Sequence, residues 1–205
     1  MNRLQGQDDR PRPIRITEVG PRDGLQNESR FLPTKSKVAF IDALAATGVD
    51  EIEAGAFVSP KAVPQMSDSD EVFRQMHRAK SIVYSALVPN ERGLERALAA
   101  GAQKVAVFTA ASETFTRKNI DATIAESLRR FEPVVTRARA AGVPVRGYIS
   151  TVAVCPYQGR IRPDQVVKVL RRLIDLGVDE VALGETIGRA APPDIRRLQI
   201  GRAHV

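Results

Sequence analysis

The segment Gly48-Val49-Asp50-Glu51-Ile52-Glu53 returns as Gly177-Val178-Asp179-Glu180-Val181-Ala182, and looser versions begin at Gly101 and Gly142. Each copy follows an Ala- or Leu-rich stretch of helical character, so the repeated unit is a helix, a glycine stop and a strand. This spacing predicts strands near 14–19, 49–55, 81–88, 103–109, 143–151 and 178–184, with helices near 34–47, 68–78, 90–100, 121–141 and 163–176. In the first of these helices Thr34 is the expected cap, and Val38, Ile41, Leu44 and Ala45 share one apolar face before the stop at Gly48. Alternating β and α elements with short connections require parallel strands and right-handed crossovers. Six such strands fit either an open doubly wound sheet or most of a (β/α)8 barrel. No Gly-x-Gly-x-x-Gly follows the first strand, so the dinucleotide-binding form of the open sheet lacks its signature. With 205 residues, 43% of them hydrophobic, the chain is long enough for one domain with a substantial core.

In either architecture the chemistry gathers past the carboxyl ends of the strands. The stretch at the first such end is Glu18 to Glu28, EVGPRDGLQNE. Ile14 to Val19 alternates apolar and polar residues and stops at Gly20-Pro21, so Arg22 and Asp23 project beyond a strand. Gly24 is expected to supply a conformation or close approach that a side chain would resist. By itself an adjacent Arg-Asp pair is more often a solvated turn or surface ion pair than a reactive one. Glu53 lies on the second strand, where a charge faces either a polar cavity or solvent. Ala110 to Phe115 reads as a loop or a capped helix start, and Glu185-Thr186 follows the sixth strand on the same rim as Arg22 and Asp23. The lone Cys155 reads as a buried, inert thiol.

Composition removes several classes. The net charge of +7, from 31 Lys and Arg against 24 Asp and Glu, would suit an anionic partner. The arginines are dispersed, however, and three tyrosines with no tryptophan offer little for base stacking, so no nucleic-acid partner is expected. No apolar run approaches membrane-spanning length, so no membrane partner is expected either. A single cysteine excludes an intrachain disulfide framework and fits a reducing, cytoplasmic location.

The string EVGPRDGLQNE resembles the signature of the hydroxymethylglutaryl-CoA lyase family. FVSPKAVPQM, AASETFTRKN, RGYIST with CPYQG, and LGETIG then resemble further blocks of that family in order, across 14–193. The resemblance implies a metal-dependent lyase on a (β/α)8 TIM barrel, here incomplete with about six βα units. It implies cleavage of 3-hydroxy-3-methylglutaryl-CoA to acetyl-CoA and acetoacetate, an acyl-CoA substrate, and a divalent cation, Mg2+ or Mn2+. By matching positions Asp23 would ligate the metal, Arg22 would stabilise the developing enolate, Gln26 and Glu53 would line the substrate site, and Glu185 would assist at the substrate hydroxyl. A related metal-dependent acyl-CoA aldolase or condensing enzyme is the alternative, and a non-catalytic fragment is another.

Departures from the family pattern shape the remaining expectations. Many members carry aspartate at the position of Glu185 and serine at those of Ala56 and Ala182. The family completes its metal site with a His-x-His and an asparagine and adds a catalytic cysteine; the only histidines here are His77, in a predicted helix, and His204. The chain is therefore expected to be inactive alone, and the open edges of its first and sixth strands favour association, a homo-oligomer included. Residues 1–13, polar and without a signal-peptide core, are expected to be a disordered lead-in and 14–198 the partial barrel domain. Residues 199–205, QIGRAHV, are expected to be a non-native tail, because CAG ATC GGA AGA GCA CAC GTC, a common sequencing adapter, encodes them.

Overall fold

The computed structural model describes residues 14–202, so the expected lead-in and residues 203–205 of the expected tail lie outside the described residues. Its elements in chain order are β1 (Thr17–Glu18), α1 (Thr34–Ala45), β2 (Glu51–Ala56), α2 (Ser69–Gln75), β3 (Val83–Leu87), α3 (Glu91–Ala99), β4 (Lys104–Ala110), α4 (Glu113–Ile120), α5 (Ile124–Ala140) and β5 (Val145–Ser150). A small hairpin of β6 (Val154–Cys155) and β7 (Gly159–Arg160) follows, then α6 (Pro163–Leu176), β8 (Glu180–Leu183) and α7 (Pro192–Arg202).

Six strands form one parallel sheet in the order β1-β2-β3-β4-β5-β8. A doubly wound sheet reverses its strand order at a switch point, and this one does not, so the sheet is wound in one direction as a barrel is. Its curl follows from one contact. In a flat sheet β1 and β5 would lie about 19 Å apart, at roughly 4.8 Å per step, yet Arg146 Nη2 on β5 is 3.2 Å from Thr17 Oγ1 on β1. The sheet is therefore rolled around the side chains of its inner face, with β1 and β8 as its two edges among the described residues.

Strand alternation sorts the side chains. Ile52, Tyr84, Val105, Val107 and Val145 point outward into the main core with Ile41 of α1, Leu94 of α3 and Phe131 of α5. Inward, near the amino ends, stand Glu51, Lys104, Arg146 and Glu180; above them Ala56, Leu87 and Ala106 make a smaller apolar cluster with Met66. A register shift between Glu53 and Gly55 inserts an extra residue in β2. Glu51 and Glu53 face inward below it, Gly55 then faces Ser69 and Phe73 of α2, and Ala56 turns back inside.

The inner charged layer is one network. Glu51 Oε2 accepts from Lys104 Nζ at 2.7 Å and Arg146 Nη2 at 2.9 Å; Glu180 Oε1 accepts from Lys104 Nζ at 2.9 Å and Arg146 Nε at 2.6 Å. Burial alone would push the Glu51 carboxyl up, but the hydrogen bond from Lys104 and the charges of Arg146 and Lys104 outweigh it and hold it below the usual carboxylate range. Since the folded value lies below the unfolded one, this contribution is complete above the unfolded value and is lost as pH falls through the folded one. The urea midpoint is accordingly expected to drop as pH falls below the ordinary glutamate range, and less steeply in Glu51→Gln. An unchanged slope in that variant would remove Glu51 from the acid response.

Several local expectations are corrected. Thr34 does not cap α1: Pro33 stands at the cap and the Thr34 hydroxyl donates to Asp68 Oδ2 at 2.7 Å. The second helix ends at Gln75, leaving His77 in an exposed segment beyond it whose backbone N–H donates to Asp42. The expected helix near 121–141 is α5, begun by a reciprocal Thr123/Glu126 cap, and a separate α4 precedes it with the Ser112 hydroxyl accepting from Phe115 N at 3.1 Å. The first strand is only two residues long, because Ile14 and Ile16 meet no core and are 89% and 56% exposed. No helix among the described residues is long and apolar enough to cross a membrane.

Candidate active site

Past β1 the chain does not make a simple turn. Gly20–Gly24 forms a single π-helical turn with Pro21 at its start, followed by a 3-10 turn over Leu25–Asn27. The restricted glycine is Gly20, where a Cβ would lie 2.8 Å from Glu18 Oε1, and not Gly24, whose φ of −67° suits any residue and whose Cβ would meet nothing within 4 Å. The π turn carries Arg22 inward and leaves Asp23 at the rim; their side chains are 10% and 54% exposed.

Arg22 is held from two sides. Its Nε donates to Glu53 Oε1 and its Nη1 donates to Asp23 Oδ1 at 2.6 Å. Glu53 is fully buried, and its other oxygen accepts from the Tyr148 hydroxyl at 2.8 Å. Gln26, half-buried, places Nε2 3.3 Å from Asp23 Oδ1, and Asn27 Nδ2 donates to the Asp23 carbonyl at 2.7 Å. Burial of the Arg22 guanidinium would lower its pKa, but Glu53 and Asp23 more than compensate, so it is held above its ordinary value and remains a cation.

Arg22, Asp23, Gln26 and Glu53 thus form one cluster. Glu53 stands behind Arg22, fully buried, with one oxygen accepting from Arg22 Nε and the other from the Tyr148 hydroxyl. Glu185 follows β8 and is half-buried. Its Oε2 accepts from Arg189 N at 3.1 Å, while Oε1 is shut from solvent without a donor. The neighbouring Thr186 hydroxyl accepts from Thr151 N at 2.8 Å, tying this loop to the end of β5, where Thr151 has a φ of +57°. Cys155 is buried, its sulfur receiving Ser112 Oγ at 3.1 Å, which agrees with an inert thiol.

Tyr148 and Arg146, which lie in the block RGYIST, are the residues of this site to which the sequence assigned no role. Their signal is the alternation in Val145-Arg146-Gly147-Tyr148-Ile149-Ser150, which puts both on the face opposite the buried Val145 and Ile149. As for a metal, no group of three or more His, Cys, Asp or Glu side chains converges among the described residues. Asp23 is a single exposed carboxylate that already receives Arg22 and Gln26. These residues do not by themselves fit a resident divalent cation, which requires a larger set of oxygen ligands.

The chain is 53% identical over 175 residues to the cytoplasmic 3-hydroxy-3-methylglutaryl-CoA lyase of Danio rerio, covering 85% of this chain and 52% of that protein. It is 51% identical over 185 residues to the hydroxymethylglutaryl-CoA lyase of Pseudomonas mevalonii, covering 90% of this chain and 62% of that one. The solved HMG-CoA lyase of Brucella melitensis superposes with a TM-score of 0.92 at 47% identity, over 94% of this chain and 68% of that chain. The chain therefore spans somewhat more than half the length of the curated relatives it matches. A family model described as HMGL-like matches residues 13–201, and with it the single winding of the sheet and the rim bearing Arg22 and Asp23 have their explanation: this chain belongs to the HMGL-like family.

Proposed function

We propose that this chain carries the Arg22 side of the active site of a hydroxymethylglutaryl-CoA lyase, cleaving 3-hydroxy-3-methylglutaryl-CoA to acetyl-CoA and acetoacetate. The observation that carries the reading is the doubly braced, buried Arg22 at the rim. Breaking the bond between the thioester α-carbon and the carbinol carbon removes the hydroxyl proton and leaves the electron pair on the thioester as an enolate. A fixed cation beside that oxygen stabilises the charge as it develops and needs no reorganisation to do so. Nε and Nη1 of Arg22 are engaged by Glu53 and Asp23, which leaves Nη2 without a protein acceptor among the described residues and able to donate to the enolate oxygen. Glu185, half-buried on the loop after β8 at the same end of the sheet as Arg22, would take the hydroxyl proton. Gln26 borders the substrate.

A divalent cation, Mg2+ or Mn2+, would polarise the substrate oxygens when bound. Asp23 would give it one ligand of a set that these residues do not complete. An acyl-CoA substrate, a cytoplasmic location and self-association through the β1 and β8 edges belong to the same reading.

The test is a coupled assay for acetyl-CoA release with added magnesium or manganese, on this chain and on the full product of its source locus. Release by the full product supports the lyase. Failure with this thioester and success with another acyl-CoA would move the assignment to a related aldolase, and turnover by this chain alone would show that no further metal ligands are needed.

A further inference from the structure

The π turn that carries Arg22 follows a strand of two residues, so its own element does little to fix the guanidinium. What fixes it comes from Glu53 on the neighbouring β2 and, across the curl of the sheet, from β5. The Tyr148 hydroxyl donates to Glu53 Oε2 at 2.8 Å, and the tyrosine oxygen in turn accepts from Arg146 Nη1 at 3.3 Å. The guanidinium carbons of Arg22 and Arg146 each lie 5.7 Å from the centroid of the Tyr148 ring. Arg146 is anchored by Glu51, Glu180 and Thr17, which come from three other strands. A continuous series of hydrogen bonds thus runs from the charged layer at the amino ends of the strands through Arg146, Tyr148 and Glu53 to Arg22 and Asp23 at the rim.

We propose that Tyr148 is a positioning residue: its hydroxyl fixes the carboxylate plane of Glu53, and through it the direction in which Arg22 presents its free nitrogen. The consequence for catalysis rests on the lyase reading; the effect on Arg22 does not. Without the hydroxyl, Glu53 keeps its bond to Arg22 but can turn about its last side-chain torsion, which is broad for a carboxylate. Burial and the nearby Glu53 charge both push the phenol above its ordinary pKa, so the donor stays protonated across the neutral range.

The experiment compares the chain with Tyr148→Phe, which retains the ring and its contacts with the two cations. In 15N-arginine-labelled protein the Arg22 Nε–H, bonded to a buried carboxylate, is expected to exchange slowly with solvent and to be assigned by its loss in Arg22→Lys. Tyr148→Phe is expected to speed that exchange about tenfold or more and to shift the resonance. Tyr84→Phe, which removes a buried hydroxyl bonded to the His77 carbonyl elsewhere in the core, should leave it in place. If Tyr148→Phe does not fold, Arg146→Lys, which keeps the charge and loses the donor to Tyr148, is expected to move the same resonance in the same direction. In the full product of the locus, Tyr148→Phe should lower kcat about tenfold with KM changed less than twofold. An Arg22 signal that behaves alike in wild type and in whichever of these variants folds would overturn the proposal. Absence of turnover in the wild-type full product would instead sink the lyase reading, while the exchange measurement still decides the role of Tyr148.

Discussion

Arg22→Met in the full product of the source locus is expected to lower kcat for acyl-CoA cleavage by about 10^2- to 10^3-fold, the range seen when one preorganised donor to a developing oxyanion is removed. The mechanism assigns that donor to the Arg22 nitrogen left over after Glu53 and Asp23 have taken the other two, so the loss should appear in kcat more than in KM. Methionine matches the aliphatic length but abandons Glu53, a fully buried carboxylate then held only by Tyr148. A second effect on stability is therefore expected, of about 3–5 kcal/mol, because an uncompensated buried charge costs more than the pair contributed. Arg22→Met with Glu53→Gln separates the two: the neutral amide should restore most of the stability and none of the rate. Recovery of rate in the double variant would show that Arg22 serves the fold and not the chemistry.

Glu51→Leu is expected to lower stability by about 3–5 kcal/mol and, for a chain of this size, the Tm by roughly 8–16 °C. The reason is the asymmetry of the inner layer. Lys104 and Arg146, with side chains 9% and 8% exposed, share two carboxylates, and Glu51 is the one buried with them; Glu180 is 40% exposed and sits at an edge strand. Removing Glu51 leaves two buried cations converging on one half-solvated anion. Pairing it with Lys104→Met should return a large part of the loss, since the remaining Arg146 and Glu180 balance in charge. If the single variant loses less than about 1 kcal/mol, water reaches the layer and screens it, and the network is a surface feature despite its depth.

How much of this could be read from the chain differs between fold and site. The six sheet strands and the helices between them were legible because the period changes cleanly from strand to helix and α1, α3, α5 and α6 are each followed by a glycine that leaves the right-handed region, Gly48 at φ +86°, Gly101 at +76°, Gly142 at +71° and Gly177 at +89°. The π turn at Gly20–Gly24 was not, since nothing in the composition of GPRDG separates it from an ordinary turn. Ala110 to Phe115 stayed open between a loop and a capped helix start, and the structure makes it the start of α4, capped by Ser112 and stopped at Asp121 with φ +47°, a conformation aspartate tolerates without announcing it. The hairpin β6–β7 and the helix α7 escaped for a similar reason: both are short or weakly patterned, and their place comes from contacts with α6 and the end of β5.

Within the site, the reading reached residues that stand out as motifs and stopped at those that act from inside the sheet. Arg22, Asp23 and Gln26 lie together in one local stretch, so the sequence alone was enough to group them. Glu53 could be placed on a strand, but its burial could not, because whether a strand carboxylate meets solvent or a cation depends on what the other strands bring across the curl. The sequence by itself determined the alternation of elements, their parallel order and the presence of charged side chains on alternate strand positions. Only the tertiary structure decided that Thr17, Glu51, Lys104, Arg146 and Glu180 meet as one layer and that Tyr148 links that layer to Arg22, because these contacts join strands distant in the chain and arise only when the sheet curls.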